Sequence, residues 1–462
     1  MKKVIFFTGL VVMLLLSSVA PVSAGSDNLS IGINVLLNTG ITDEILGTLG
    51  GFGKVLDQIP AINALTMKVK AGELAEIQAL PFVAAANPDA ERKGAPIDTV
   101  AVEDFADGLS TWDLDAIDVT DWGFDNRQVA EDGTGVYVAV LDTGLVSNWR
   151  QYFPEERIAE EFAKSFGGGG GLQGNVSEQP NKWEHDTNSH GTHVTSTIIG
   201  YDLGGTPING VAPMVTIIPV KVLNQSGGGW SSTIAHGITY VADLKKNGDL
   251  GDSPVVINMS LGGSALDAVE QEAIDYAISQ GVIIVASAGN EGTAGMGYPG
   301  AYAPVISVGA VGWAGEWYPE AGNAWWYVMD ISEPTNISEF YVADFSSRAL
   351  PGQDLDVLAP GSWIVGPYNV NQGQTGYYFL GGTSMASPHV AGLVALMAER
   401  KSDLTAAEAE SILETSAIPM GAGAMYDPYY YYRAGMLVLL EWGADATGSG
   451  LVNAPAALGL LP

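Results

Sequence analysis

The stretch Gly135-Val136-Tyr137-Val138-Ala139-Val140-Leu141-Asp142-Thr143-Gly144 decides the fold. Its first part is a nearly continuous apolar run, the pattern of a strand buried on both faces of a parallel sheet. Asp142 closes the run. Open α/β sheets place their sites at the carboxyl ends of such strands, so Asp142 is a candidate site residue. An aspartate there can equally be structural. Downstream, 215–223, 255–259, 282–285 and 305–311 read as further apolar strands, with amphipathic helices at 231–244 and 266–280 between them. Strands alternating with helices predict an α/β domain around a parallel sheet.

Three other stretches share the polar character of Asp142. His190-Gly191-Thr192-His193-Val194 opens a helix-like run. Two histidines three apart could bind zinc, but the His-Glu-x-x-His spacing is missing and the chain holds only 5 histidines. A histidine that moves protons fits better with an acid before it and a serine after it. That serine lies in Gly381-Gly382-Thr383-Ser384-Met385-Ala386-Ser387-Pro388-His389-Val390, where an apolar helical run follows. Ser384 has two readings, helix N-cap or nucleophile at a helix start that supplies N–H groups. Asn290 ends the strand at 282–285, where an asparagine is a turn former or an amide donor to an oxyanion. Gly227-Gly228-Gly229 leave backbone free to pair with an extended peptide, or form a plain loop.

The chain has 462 residues, 47% of them hydrophobic and 15% charged, enough for one large and one small domain with a substantial core. Its net charge of -33 argues against nucleic acid as a partner. With no cysteine, disulfides and thiolate metal sites are excluded. Lys2-Lys3, an apolar run at 4–16 and a small-residue end at Ala24 make a secretory signal peptide over 1–24, too short for a membrane anchor. Residues 25–86 read β-α-β-β-α-β, a small ferredoxin-like α+β module. The polar stretch 87–107 reads as a linker, 148–184 as a flexible surface insertion, and 313–343, rich in tryptophan, as a packed surface subdomain.

Together these motifs resemble the subtilisin-like serine proteases, the subtilase family (peptidase S8), from about Trp112 to Asn453. Val140-Leu141-Asp142-Thr143-Gly144 is similar to the family's aspartate motif, His190 to His193 to its histidine motif, and Gly382 to His389 to its serine motif. The order Asp, His, Ser also matches. The resemblance implies a mostly parallel sheet of about seven strands flanked by helices. It implies Asp142, His190 and Ser384 as the triad and Asn290 in the oxyanion hole. Gly227, Gly228 and Gly229 would pair with substrate, and Ser260, Leu261, Gly262, Ala288, Gly289 and Gly297 would line the specificity pocket, with Glu291 at its rim. Residues 25–110 would be a propeptide and linker whose tail inhibits the catalytic domain, 111–462, until autocleavage between Lys93 and Ser110. The expected product is a secreted endopeptidase acting on polypeptides with apolar or aromatic P1, with no nucleic acid partner and no membrane contact after signal cleavage. No cofactor is needed for such chemistry. Structural calcium is possible, with oxygen donors such as Asp202 and Asn209 in a shortened loop, but no site is assigned. The stretches at 145–185, 313–343 and 421–447 depart from compact members. A sedolisin-type acid protease would need Glu and Asp partners for its serine, and a catalytically dead peptide-binding member would need a broken triad.

Overall fold

The computed structural model describes residues 27–94, 98–101, 111–122, 126–167, 182–317, 330–371 and 374–462. The expected signal peptide, 102–110 of the expected linker, 168–181 of the expected insertion and 318–329 of the expected subdomain lie outside the described residues.

The small module contains β1 (Ser30–Leu37), α1 (Asp43–Gly50), β2 (Gly53–Ile59), β3 (Ala64–Lys70), α2 (Leu74–Gln78) and β4 (Val83–Pro88). Its antiparallel sheet has the order β2-β3-β1-β4, so the β-α-β-β-α-β reading holds. Alternation along β1 explains its two faces. Ile33, Val35 and Leu37 join Ile45, Leu49, Leu65 and Met67 in the module's own core. Asn34, pointing the other way, is fully buried against the larger unit.

The polar stretch that follows is not a free linker. It forms β5 (Glu91–Lys93) and β6 (Asp98–Ala101), both paired with the large unit. Composition misleads here because a strand held by backbone hydrogen bonds needs no apolar side chains.

The large unit carries β7 (Tyr137–Asp142), β8 (Lys164–Ser165), α3 (His190–Ile199), β9 (Thr216–Lys221), β10 (Gly228–Trp230), α4 (Ser231–Asn247), β11 (Val255–Met259), α5 (Ala268–Ser279), β12 (Val282–Ser287), β13 (Ile306–Trp313), β14 (Phe340–Val342), β15 (Val357–Pro360), β16 (Ile364–Asn371), β17 (Gln374–Gly381) and α6 (Thr383–Arg400). The main sheet is 8-stranded, with the path β14-β13-β12-β11-β7-β9-β8 and β15 beside β13. Only β14 pairs antiparallel. Alternate residues of β7 again feed two cores. Val138 and Val140 pack with Val194 of α3 and Val390 of α6 on one face. Ala139 and Leu141 pack with Ile234 of α4 and Ala273 of α5 on the other. The strand order reverses at β7, so Asp142 ends the strand at the topological switch point.

The described part of the stretch after β7, up to residue 167, is packed. Trp149, Tyr152 and Phe153 are buried in short 3-10 turns, and Phe166 lies under α4. Aromatic side chains of this size hold an irregular segment down by burial alone. Trp313 and Trp317 are likewise buried, in keeping with a packed subdomain.

Candidate active site

Asp142, the last residue of β7, is fully buried, and its Oδ1 accepts a hydrogen bond from Thr143 N at 2.6 Å. His190, the first residue of α3, places Nδ1 at 2.8 Å from Asp142 Oδ1 and 2.9 Å from Oδ2. Contact this close needs small residues. A Cβ on Gly191 would come 2.5 Å from Gly144 O. Thr143 Oγ1 accepts from Gly191 N at 2.9 Å and donates to Asp186 Oδ2 at 2.6 Å, and Asp186 Oδ2 also accepts from Ser189 N. Asp186 thus stitches the end of β7 to the start of α3. Burial pushes its carboxyl up to about 6. Lys221 sits opposite Asp142 in the β9 register and donates to Thr143 O. Burial lowers the Lys221 pKa, against the pull of Asp186 and Asp142.

His193 serves a different end. It is fully buried, its Nε2 lies 3.1 Å from Ile364 O, and burial lowers its pKa to about 3. It is a neutral packing group between α3 and β16.

Gly382 caps α6, so Ser384 is the second helical residue and not the cap. Pro388 lies inside α6 and has no N–H to give the Ser384 carbonyl four residues back. Ser260 Oγ fills that vacancy, donating to Ser384 O at 2.8 Å. Asn258 holds Ser260 Oγ at 3.0 Å and accepts from Ser387 Oγ at 2.7 Å. The start of α6 is therefore pinned to the end of β11. Ser384 Oγ itself donates to Ser260 O at 3.3 Å, and among the described residues His190 Nε2 has no hydrogen-bond partner. Five residues on, buried His389 bonds Asp113 Oδ2 at 2.8 Å and so fastens the unit's first turn to α6.

Asn290 follows β12. Its Oδ1 accepts from Thr383 N and Thr383 Oγ1, both at 2.9 Å. That fixes the amide flip and turns Nδ2, the donor, toward Gly382, whose Cβ position lies 3.7 Å away. A 460 Å³ cavity beside Ser384 is lined by Gly262, Gly263, Gly289, Asn290 and Glu291, among others. Of the expected pocket residues, Gly262 and Gly289 line it directly. Ser260, Leu261 and Ala288 are buried behind it, and Gly297 N donates to Ala288 O at 2.8 Å, bracing that wall.

The cleft is occupied by the chain itself. Lys93 exchanges both backbone bonds with Gly262, at 3.0 and 2.9 Å, and Gly94 N donates to Gly227 O at 2.8 Å. Gly228 and Gly229 pair with Lys93 and Arg92. A Cβ on Gly94 would sit 3.3 Å from His190 Cε1 and 2.9 Å from Ser260 O. Farther along, Asp98 pairs with Gly381 and Thr99 with Leu380. The chain thus approaches the His190 ring along β10 and departs along β17. The sequence offered no sign that Arg92 meets Glu270 of α5 in this cleft.

Two carboxylate clusters lie apart from the cleft, Asp115 with Asp121 and Glu333, and Asp356 with Glu410 and Glu414, each with oxygens within 4.8 Å of one another. Burial raises Asp115 to about 8 and Asp356 to about 7. Asp202, named above as a possible oxygen donor, accepts from Gly205 N at 2.6 Å inside a hairpin.

The family model described as the subtilase family matches residues 133–450. This chain belongs to the subtilases. Membership brings serine endopeptidase activity with it. The subtilase is 33% identical to subtilisin DY of Bacillus licheniformis over 329 residues, 70% of this chain and 91% of that one. It is 32% identical to thermitase of Thermoactinomyces vulgaris over 269 residues, 58% of this chain and 77% of that one. Among solved structures it is similar to fervidolysin from Fervidobacterium pennivorans, a keratinolytic enzyme related to subtilisin, with a TM-score of 0.64 at 25% identity. That match covers 94% of this chain and 61% of fervidolysin. Among the described residues, no helix of this subtilase is long and apolar enough to cross a membrane.

Proposed function

We propose that this subtilase is an exported endopeptidase that cuts polypeptides through Ser384, His190 and Asp142 and matures by cutting its own chain between Gly94 and Asp98. The observation that carries this reading is the threading of the tail. Backbone is held on β10 up to Lys93 and on β17 from Asp98, and the place of a Cβ on Gly94 lies 3.3 Å from the His190 ring.

In this mechanism Asp142 accepts a hydrogen bond from His190 Nδ1–H and so keeps the proton on Nδ1, which leaves Nε2 as the base. Ser384 Oγ turns from Ser260 O to Nε2, gives up its proton and attacks the scissile carbonyl. The Asn290 Nδ2 amide, with its flip fixed by Thr383, and the Ser384 N–H at the helix start stabilise the oxyanion. The protonated imidazole then gives its proton to the leaving amine, and water, deprotonated by the same nitrogen, releases the acyl group. Residues 25–94 act as inhibitor until they dissociate, and residues 1–24 direct export. Glycines along the cavity leave room for a large apolar or aromatic P1 side chain, and broad specificity follows from the backbone pairing.

A fluorophosphonate probe applied after removal of the N-terminal segment tests this. Labelling of the wild type but not of Ser384→Ala is the expected result. An unlabelled, fully processed wild type would refute the nucleophile. A P1 profile confined to acidic residues would refute the pocket reading.

A further inference from the structure

Glu91 and Lys93 of the tail are exposed, yet the Arg92 between them is fully buried. Its guanidinium grips Glu270 with two prongs, Nε to Oε1 at 3.0 Å and Nη2 to Oε2. Nη2 also donates to Ala265 O at 3.2 Å, and Nη1 to Glu91 O at 2.9 Å. Gly263 makes the passage. A Cβ there would come 2.2 Å from Glu91 O and 3.0 Å from Arg92 Nη1. Except for the Glu91 carbonyl, every acceptor belongs to the large unit. Glu270 itself stands in the first turn of α5, where a carboxylate is favoured.

A buried ion pair loses most when one partner leaves and the other stays desolvated. Here the partners stand on opposite sides of the bond proposed to be cut. The arginine departs with residues 25–94, and Glu270, Gly263 and the Ala265 carbonyl stay behind. A peptide lying on β10 and Gly262 in the register of the tail turns alternate side chains to this wall. The carboxylate fork matches a planar guanidinium, whereas lysine offers a single point charge.

We propose that the mature enzyme selects polypeptides carrying arginine at the position Arg92 occupies, two residues before that of Gly94, and that Glu270 determines this preference. The proposal rests on the proteolytic reading above and adds a basic subsite to an otherwise apolar, broadly accepting cleft.

The test uses the autoprocessed wild type and matched quenched peptides with Arg, citrulline, Lys or Leu at that position, with the cut bond mapped by mass spectrometry. Citrulline keeps the shape of arginine and removes its charge. The arginine peptide should show kcat/KM on the order of 30-fold above the citrulline peptide, the usual worth of one buried charge partner. A proteome-derived peptide pool should show arginine enriched at one fixed distance before the cut. Glu270→Gln should bring the ratio close to one, through loss of the arginine peptide's advantage in kcat/KM. Should that variant fail to fold, the wild-type ratio decides alone. Equal cleavage of the arginine and citrulline peptides by an enzyme whose Ser384 takes the fluorophosphonate overturns this proposal only, leaving Arg92–Glu270 as a latch for the tail. Cleavage of neither peptide, with no labelling of Ser384, overturns the proteolytic reading and this proposal with it.

Discussion

Residues 27–94 and 98–101 touch the large unit in two zones of different chemistry. In the docking zone, folded strands present polar side chains to helix starts. Asp89 accepts from Ser232 N at 3.0 Å and Ser232 Oγ at 2.7 Å, supplying the side-chain cap that α4 lacks. Asp267, the N-cap of α5, accepts from Asn34 and Asn87, each at 2.8 Å. In the cleft zone, β5 and β6 are extended and held by backbone bonds, and β5 inserts the fully buried Arg92 side chain. A substrate could copy the second zone and not the first, because the first needs a folded module. Affinity for the attached segment and specificity for substrates should therefore be separable by mutation.

The largest effect expected within the cleft zone, short of losing the triad, is that of Asn290→Ala. Loss of one oxyanion donor should lower kcat roughly 10²–10³-fold with little change in KM, measured on a peptide of fixed sequence. An unchanged kcat would mean that Asn290 serves only to hold Thr383.

Asn34→Ala probes the other zone. It strips a buried donor from Asp89 and Asp267 and should weaken inhibition of the mature enzyme by added segment 25–94 on the order of tenfold, about one to two kcal/mol. Peptide kinetics should not move. If peptide kcat/KM falls with it, the two zones are coupled and the division drawn between them is wrong.

The smallest effect lies outside both zones and serves as their control. Asp356 is buried, and its folded-state pKa of about 7 exceeds the unfolded value of about 3.9. The folded state thus holds the proton more tightly, so ionisation costs stability progressively as pH rises from about 4 to 7. Asp356→Asn can still accept the Ser307 N–H bond, now 2.7 Å long, and removes that cost. The variant should melt roughly 2–4 °C higher at pH 8.5, with the gap closing toward pH 4. A gap independent of pH would show that packing, not charge, sets the difference.

The site was legible where chemistry and local chain geometry coincide. Asp142 at a strand end, His190 and Ser384 at helix starts and Asn290 after a strand each carry their small neighbours with them, and the structure gathers all four at one end of the sheet. The β-α-β-β-α-β module was legible because Leu65, Met67 and Val69 alternate with polar residues. What escaped was long-range and carried by the backbone. Asp98–Ala101 is polar and looks like linker, because its partner, 374–381, lies far along the chain. Arg92 and Glu270 are 178 residues apart, and each alone reads as an ordinary surface charge. The packing of residues 148–167 escaped because their aromatics, Trp149, Tyr152 and Phe153, have no helical or strand period to announce their burial.

The most direct measurement of the central claim is the N-terminus of the purified protein, wild type against Ser384→Ala. The wild type should begin at a residue from 95 to 98, while Ser384→Ala should keep residues 25–94 attached to the large unit. A Ser384→Ala protein cut at the same bond, or a wild type whose new terminus lies beyond residue 101, would contradict self-cleavage by Ser384 between Gly94 and Asp98.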